Sequence, residues 1–485
     1  MRKPLALAIW FRATSWTIPA AVLLMAAFLA PGTAGAQGGG AQGGRGPVSL
    51  IRDAETESLI RAFLDPLLAA AGVDRRLVEL TLVQDRAINA FVAQGNRLYL
   101  HTGLIQQAES AGELAGVIAH EVGHIAGGHL ARLPEEMRLA MLRSVAAMLL
   151  GAGAGVAARS SDAAMGIIMG GQTSAMGAFF AFTRTQEQSA DQAGLVLLER
   201  LGWSSQGLER LLRRLLDQEL LAVGRQDPYF RTHPLSRDRL EFVREQMARG
   251  RATSGGIPAA LETRFAMVRA KLNGFVDAPV ASWRRYLNDD SAPGRYARSI
   301  AQYRSGRTDA AIEILEPVIR EQPSNPYLLE FKGQILFEGG RPAEAIAPLA
   351  AATRLAPNEP LIRAAYGRAL MEGGGDTASV RRAVAELQAA ARQDRENGFT
   401  WGQLATAYAR LDDLPNAELA LAEQAMAQGN TAEARFRAAR AERGLPPGPA
   451  RLRATDLRNA VRRDNLTSDE RRAEDELRRR DRNNR

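Results

Sequence analysis

The chain has no cysteine in 485 residues. That excludes a disulfide scaffold, an iron–sulfur cluster, a cysteine-ligated zinc finger and a cysteine nucleophile. It does not fix the redox compartment, since a secreted protein of this size can do without disulfides. Lysine is nearly absent as well: Lys3, Lys271 and Lys332 stand alone among many arginines. A GC-rich coding sequence accounts for that better than a binding surface. A concentrated basic footprint is also missing. The formal charge of +8 divides into +3 over residues 1–36, +4 over 451–485 and +1 over everything between. A spread +1 makes no field for nucleic acid, and no such partner is expected. What is present is ordinary: 46% hydrophobic and 24% charged residues exclude wholesale disorder. At roughly 100–200 residues per domain the length suggests two to four domains.

The first 36 residues read as a signal peptide. Arg2, Lys3 and Arg12 precede an uncharged apolar run from Trp16 to Ala30, and Ala34-Gly35-Ala36 offers a small-x-small cleavage site. The run is short for a spanning helix. A mature chain starting near Gln37 would lie outside the cytoplasm, with 37–49 as a flexible Gly-rich leader.

Apolar spacing predicts a helix over Asp53–Ala71, short strands at Leu77–Val83 and Ala90–Val92, a turn at Gln94-Gly95-Asn96 and a return strand at Leu98–Leu100. Ser110 with Glu113 forms a capping box, so a helix is expected from there to about Leu133, before Pro134. Residues 141–182 are rich in Ala, Gly and Met. They read as a loop and helix packed on the domain, with peripheral contact to a membrane surface as the second reading. Two more helices are expected at Gln186–Leu201 and Ser205–Leu221.

Farther on, Ala311, Leu315, Val318 and Pro323 recur 34 residues later as Ala345, Leu349, Ala352 and Pro357. That is the tetratricopeptide period. Gly367, Ala383, Leu387 and Ala390 carry a third unit after an insertion at Gly373–Asp376, and Trp401, Leu404, Ala405 and Tyr408 open a fourth. Such repeats stack into a superhelix whose concave groove holds peptides or partner proteins. The expected fold is therefore mainly α. Residues 50–250 would form a first domain, helical with a small β-sheet. Linker helices at 251–290 would lead to a tetratricopeptide-repeat superhelix at 291–445, and a solvated charged tail would occupy 446–485.

The chemistry is concentrated at His120-Glu121-Val122-Gly123-His124. Residues four apart share a helix face, so both imidazoles can bind one ion. Zinc accepts such nitrogens and lowers the pKa of a water it holds toward ~7. Glu121, one position round from His120, can take that water's proton. Three of the chain's five histidines lie within ten positions here. His129 follows His124 by five residues, whereas the metzincin pattern requires six, so His129 reads as an outlying group. The better third ligand is Glu187, with Asp191 four residues on to orient a ligating histidine or share protons. Two helices giving His, His and Glu, with a fourth position open, make a catalytic site for one zinc per chain.

These residues resemble the gluzincin metallopeptidases of the HtpX, Oma and CAAX-prenyl-protease type, so that residues 50–250 are expected to form an HExxH zinc-metalloprotease domain. Asn89-Ala90-Phe91 before a hairpin is similar to that family's substrate-facing edge strand. Thr232-His233-Pro234-Leu235 with Asp238-Arg239 is similar to its late His-Pro motif. The resemblance implies that the edge strand pairs with substrate backbone and that His233 can fill the fourth zinc position and silence the enzyme. It further implies that Arg239 contacts substrate or transition state. Joined to a signal peptide and repeats, it implies a periplasmic endopeptidase for unfolded or stalled outer-membrane proteins, whose repeats engage those proteins and their assembly machinery and help assembly as a chaperone does. The Gly-rich stretch between the two metal-binding helices would be a lid. His101 has no role in this scheme. The alternative is a non-catalytic periplasmic chaperone or scaffold with a structural zinc. The intact Glu121 favours the enzyme, because a structural site needs no general base.

Overall fold

The computed structural model describes residues 49–93, 95–129, 139, 182–219, 233, 237–249, 255–461 and 466–483. The signal-peptide segment, the 141–181 stretch and Thr232, Pro234 and Leu235 lie outside them. The chain divides into two units between Val276 and Asp277.

The first unit is built around one helix buried on every side. Four short strands, β1 (Leu50–Ile51), β2 (Glu79–Val83), β3 (Ala90–Ala93) and β4 (Arg97–His101), form a sheet in the order β1-β2-β4-β3. β2 and β4 are parallel, while β1–β2 and β3–β4 are antiparallel. Positive φ at Gly95 and Asn96 turns β3 back into β4. Helix α1 (Ala54–Ala70) is capped by Asp53, whose side chain accepts from Thr56 N–H at 2.8 Å. It buries Leu59, Ile60, Phe63, Leu64, Leu67 and Leu68. A short α2 (Thr102–Gln107) leads into the central helix, α3 (Ala111–Ala126). Ser110 caps α3 as expected, but Glu113 reaches the N–H of Glu109 and the guanidinium of Arg214 rather than completing the box on Ser110. α3 stops at Ala126, short of Leu133, where the chain enters a turn with Gly128 left-handed at φ 61°.

Helix α4 (182–200), α5 (Gln206–Glu219) and α6 (Arg237–Arg249) complete the surround of α3. α3 and α4 meet backbone to backbone. A Cβ on Gly123 would lie 2.6 Å from the Ala190 carbonyl oxygen, and one on Gly194 would lie 3.1 Å from the Ala119 carbonyl carbon. Small residues on both helices therefore set the approach that carries Glu187 and Asp191 to His120 and His124. Helix α7 (Ala259–Val276) differs from the expected linker. Phe265, Val268 and Leu272 enter the same core as α1 and α3. Lys271, 5% exposed, pairs with Asp53 at 2.5 Å and Glu55 at 3.4 Å at the start of α1.

The second unit is helical throughout its described residues: α8 (Pro279–Arg285), α9 (Ala292–Arg304), α10 (Thr308–Glu321), α11 (Pro326–Glu338), α12 (Pro342–Leu355), α13 (Pro360–Gly373), α14 (Thr377–Gln393), α15 (Gly398–Arg410), α16 (Leu414–Ala427), α17 (Thr431–Gly444), α18 (Pro449–Ala460) and α19 (Ser468–Asn483). From α8 to α18 each helix packs on the next, α19 packs on α17, and α11, α13 and α15 stack in turn. The repeating small and branched residues are the contacts: Ala311, Leu315, Val318, Ala345, Leu349, Ala352, Ala383, Leu387 and Ala390 are all buried. The expected solvated tail is a correction. α18 and α19 pack against the last repeat, burying Ala454, Leu457, Val461 and Leu466, and Glu474 is fully buried with Arg478 at 2.6 Å. Charges that read as solvated are paired across helices, as with Arg453–Glu423, Arg458–Glu442 and Arg440–Asp481. Among the described residues no helix is long and apolar enough to cross a membrane.

Candidate metal centre

Four side chains from three parts of the first unit converge. One donor atom each from His120, His124, Glu187 and His233 lies within 4.8 Å of the others. His120 Nε2 is 3.0 Å from His124 Nε2, 3.3 Å from His233 Nδ1 and 3.4 Å from Glu187 Oε2. Glu187 is 3.3 Å from His124 Nε2 and 3.2 Å from His233 Nδ1. Bonds of 2.0–2.1 Å to a tetrahedral zinc put neighbouring donors roughly 3.3 Å apart. The observed spacings are those of a tetrahedron's edges.

The hydrogen bonds around the ring fix which nitrogens face inward. Asp191 is an ionised acceptor, so the Nδ1–H of His120 donates to its Oδ1 at 2.7 Å and the Nε2 lone pair points to the centre. His233 donates from Nε2 to the carbonyl of Ala90 at 3.1 Å, leaving Nδ1 as the inward lone pair. His124 turns Nε2 inward and donates from Nδ1 to His129 Nδ1 at 2.9 Å. His129 thus holds a ligand in place, the part its spacing from His124 left open.

Arg239, which the resemblance places toward substrate or transition state, lies among the site's own carboxylates. It is 1% exposed. It donates from Nε to Asp191 Oδ2 at 2.8 Å and through NH2 to Asp191 Oδ1 at 2.9 Å. A third contact, from NH1 to Glu187 Oε2, is also 2.8 Å. Its guanidinium is spent on the site's own carboxylates, a buried planar fork that arginine supplies and lysine does not. Burial would raise the Asp191 carboxyl, but Arg239 and His120 outweigh it and hold Asp191 down to about 2. Burial likewise opposes charge on His120, yet Asp191 and Glu187 push that imidazole up to about 10. Burial and the neighbouring His120 take His124 down to about 3, so it stays neutral.

Glu121 lies fully buried beside the cluster, with one oxygen 3.3 Å from His233 Nε2. Neither of its oxygens has a hydrogen-bond partner among the described residues. Burial raises its pKa, against the weaker pull of His233 and His120. Such a carboxylate is suited to accept a proton. With the imidazoles neutral, the form in which they bind a metal, three carboxylates against one guanidinium leave two negative charges in a dry pocket, which one divalent cation cancels; the raised pKa of His120 shows a proton held where that cation would sit. Donor type, spacing and charge all fit one zinc ion.

The sheet edge completes the site. His101 N–H donates to the Asn89 carbonyl at 3.0 Å, so Asn89 and Phe91 bond to β4 while Ala90 and Val92 direct their backbone groups outward. The Ala90 carbonyl reaches His233, and the Val92 N–H favours the ionised Glu121. His101 itself is mostly buried at the end of β4, edge-on to Phe91.

The donor set is that of a zinc site of the HExxH class, in a chain whose second unit is built of helical repeats. Residues 53–247 match Peptidase family M48, and residues 296–360 match the tetratricopeptide repeat. Over those two stretches the chain is similar to M48 peptidases and to tetratricopeptide-repeat proteins. It is 29% identical over 300 residues to a beta-barrel assembly-enhancing protease of Yersinia pestis, and 26% identical over 299 residues to that of Escherichia coli K12. Each match covers 60% of this chain and 60% of the relative. A mitochondrial metalloendopeptidase OMA1 of Schizosaccharomyces pombe is 26% identical over 194 residues, covering 39% of this chain and 52% of its own. The chain thus spans about three-fifths of the length of the first two relatives.

Proposed function

We propose that this chain is a periplasmic zinc endopeptidase that removes unfolded or stalled outer-membrane proteins and aids their assembly, with its repeats selecting them. The observation that carries the activity is the convergence of His120, His124 and Glu187 on one point with the buried carboxylate of Glu121 beside it. Zinc, when bound by these residues, polarises a peptide carbonyl and makes water acidic. Glu121 accepts the water's proton and returns it to the leaving amine. Asp191 keeps His120 in the tautomer that offers Nε2, and Arg239 neutralises Asp191 and Glu187 so that both stay ionised in a dry pocket. The β3 edge aligns the substrate backbone through Ala90 and Val92. The relatives named for beta-barrel assembly and the sequence's signal-peptide pattern support the location and the substrate class.

One observation favours the non-catalytic alternative. With His233 included, four protein donors surround the point, the count of a structural zinc site. The buried carboxylate of Glu121, its pKa raised by burial, argues the other way. Zinc analysis and casein digestion by the full chain, wild type against Glu121→Gln, decide between them. Bound zinc with cleavage abolished in the variant is expected. Zinc bound in both, with neither cutting casein, would leave the scaffold.

A further inference from the structure

The β3 edge presents more than backbone. Ala90 and Val92 turn their side chains inward with Leu98 and Leu100, all four buried. Phe91 is on the opposite face of the sheet, half-buried, directly across from Tyr99 on β4. Their rings stack with centroids 5.0 Å apart and planes 12° from parallel. His101 closes one end of this shelf, edge-on to Phe91 at 6.2 Å. Arg97, paired with Glu79, closes the other. The shelf is flat, apolar in the middle and polar at its rim.

Its position relative to the metal centre gives it a use. The two outward-facing backbone groups beside the centre belong to Ala90 and Val92, the neighbours of Phe91 on either side. A strand added antiparallel to β3 would bond to those two residues. The residue it places across from Phe91 would then be a non-hydrogen-bonded pair, whose side chains stand closest. That side chain must fall on the shelf, because facing residues of paired strands share a face.

We propose that the Phe91–Tyr99 stack is a specificity-determining subsite that receives an aromatic or large aliphatic side chain of an extended substrate, next to the bond that is cut. This deepens the reading of the chain as an endopeptidase and rests on it. The substrates selected are segments alternating an apolar residue for the shelf with neighbours directed at the domain's inner side. A folded protein does not offer such a segment in extended form.

The test uses fluorescein-labelled ten-residue peptides of Thr and Gln with one Phe walked through the six central positions, and an all-Thr/Gln control. Binding is read by anisotropy on the zinc-loaded full chain carrying Glu121→Gln, and cleavage on the wild type. At one position Phe should tighten binding about three- to tenfold over the control, the size of a single aromatic contact. Leu there should recover part of the gain and Asp none. Adding Phe91→Ala should erase the gain, so that this variant binds the Phe peptide and the control alike. Equal affinity at all six positions in the Glu121→Gln chain overturns the subsite without any variant at Phe91. So does a gain that survives Phe91→Ala, or a loss shared equally by the control. If the preference is present but the wild type cuts no peptide, the endopeptidase reading fails and the shelf stands as a binding site. Cleavage without preference fails the shelf alone.

Discussion

The imidazole of His233 holds two positions at once. Its Nδ1 sits among the metal donors, 3.3 Å from His120 Nε2, and its Nε2–H donates to the Ala90 carbonyl at 3.1 Å. A substrate strand on β3 needs that carbonyl, and a reacting carbonyl needs the fourth metal position. His233→Ala frees both. Basal casein cleavage should rise several-fold at unchanged zinc content, measured by digestion and atomic absorption on the same sample. Loss of zinc in the variant would make His233 a structural ligand instead. Unchanged or lower activity with zinc retained would end the idea of a block.

Arg239 allows a sharp distinction between a role toward substrate and a role toward the site's own carboxylates. With the guanidinium gone, Asp191 and Glu187 stay buried without their cation. Arg239→Met should destabilise the first unit by about 3–5 kcal/mol, as breaking a buried charge pair does. Arg239→Lys should recover only part, since an ammonium cannot span both carboxylates as the fork does. Asp191→Asn should weaken zinc binding by about ten- to a hundredfold in chelator competition, the usual cost of losing a ligand's orienting partner. A residue that only touched substrate would change KM and leave melting and zinc affinity alone.

Gly123 lies between the two metal-binding histidines but binds nothing. Its absent side chain lets Ala190 approach, and a Cβ there would strike the Ala190 carbonyl. Gly123→Ala should push α4 off α3, costing about 1–3 kcal/mol as overpacking does. Because Glu187 and Asp191 ride on α4, zinc affinity should fall with it. A variant with a lower melting temperature and wild-type zinc affinity would show that the site is held from elsewhere.

The parts legible in the sequence are those governed by one helix or one period. His120 and His124 share a face because they are four apart, and so do Glu187 and Asp191. The 34-residue recurrence of Ala311, Leu315 and Val318 maps onto buried contacts because each repeat packs on a copy of itself. The position of His233, far from the other ligands in sequence, is fixed by tertiary structure alone, and only family likeness points to it. Arg239 is legible as part of a motif, but a sequence cannot say which carboxylates a guanidinium will meet, here Asp191 and Glu187. The helix at Ala259–Val276 did carry a readable signal. Phe265, Val268 and Leu272 fall on one face, yet they followed a Gly- and Pro-containing stretch that reads as a domain boundary.

The C-terminal segment was misjudged for a different reason: its composition is that of a solvated helix, and its stability lies in pairs between helices. Leu457, Val461 and Leu466 are buried, and Arg453 makes a two-pronged contact with Glu423 at 2.6 and 2.9 Å. Terminal helices of a repeat stack cover an apolar face that no further repeat protects. Ala422, Ala438 and Leu457 form one such cluster, and Ala441, Leu445 and Ala454 another. Ending the chain after residue 447 would expose both. Fully burying an aliphatic side chain is worth about 1.5–3 kcal/mol, an upper figure because unfolded chains are partly compact. Losing three such side chains and their ion pairs should therefore cost the second unit more than about 3 kcal/mol. Urea unfolding of the truncated and full chains, followed by circular dichroism, measures the difference. A chain ending after Arg485 and one ending after residue 447 that unfold at the same urea concentration would return the segment to the solvent.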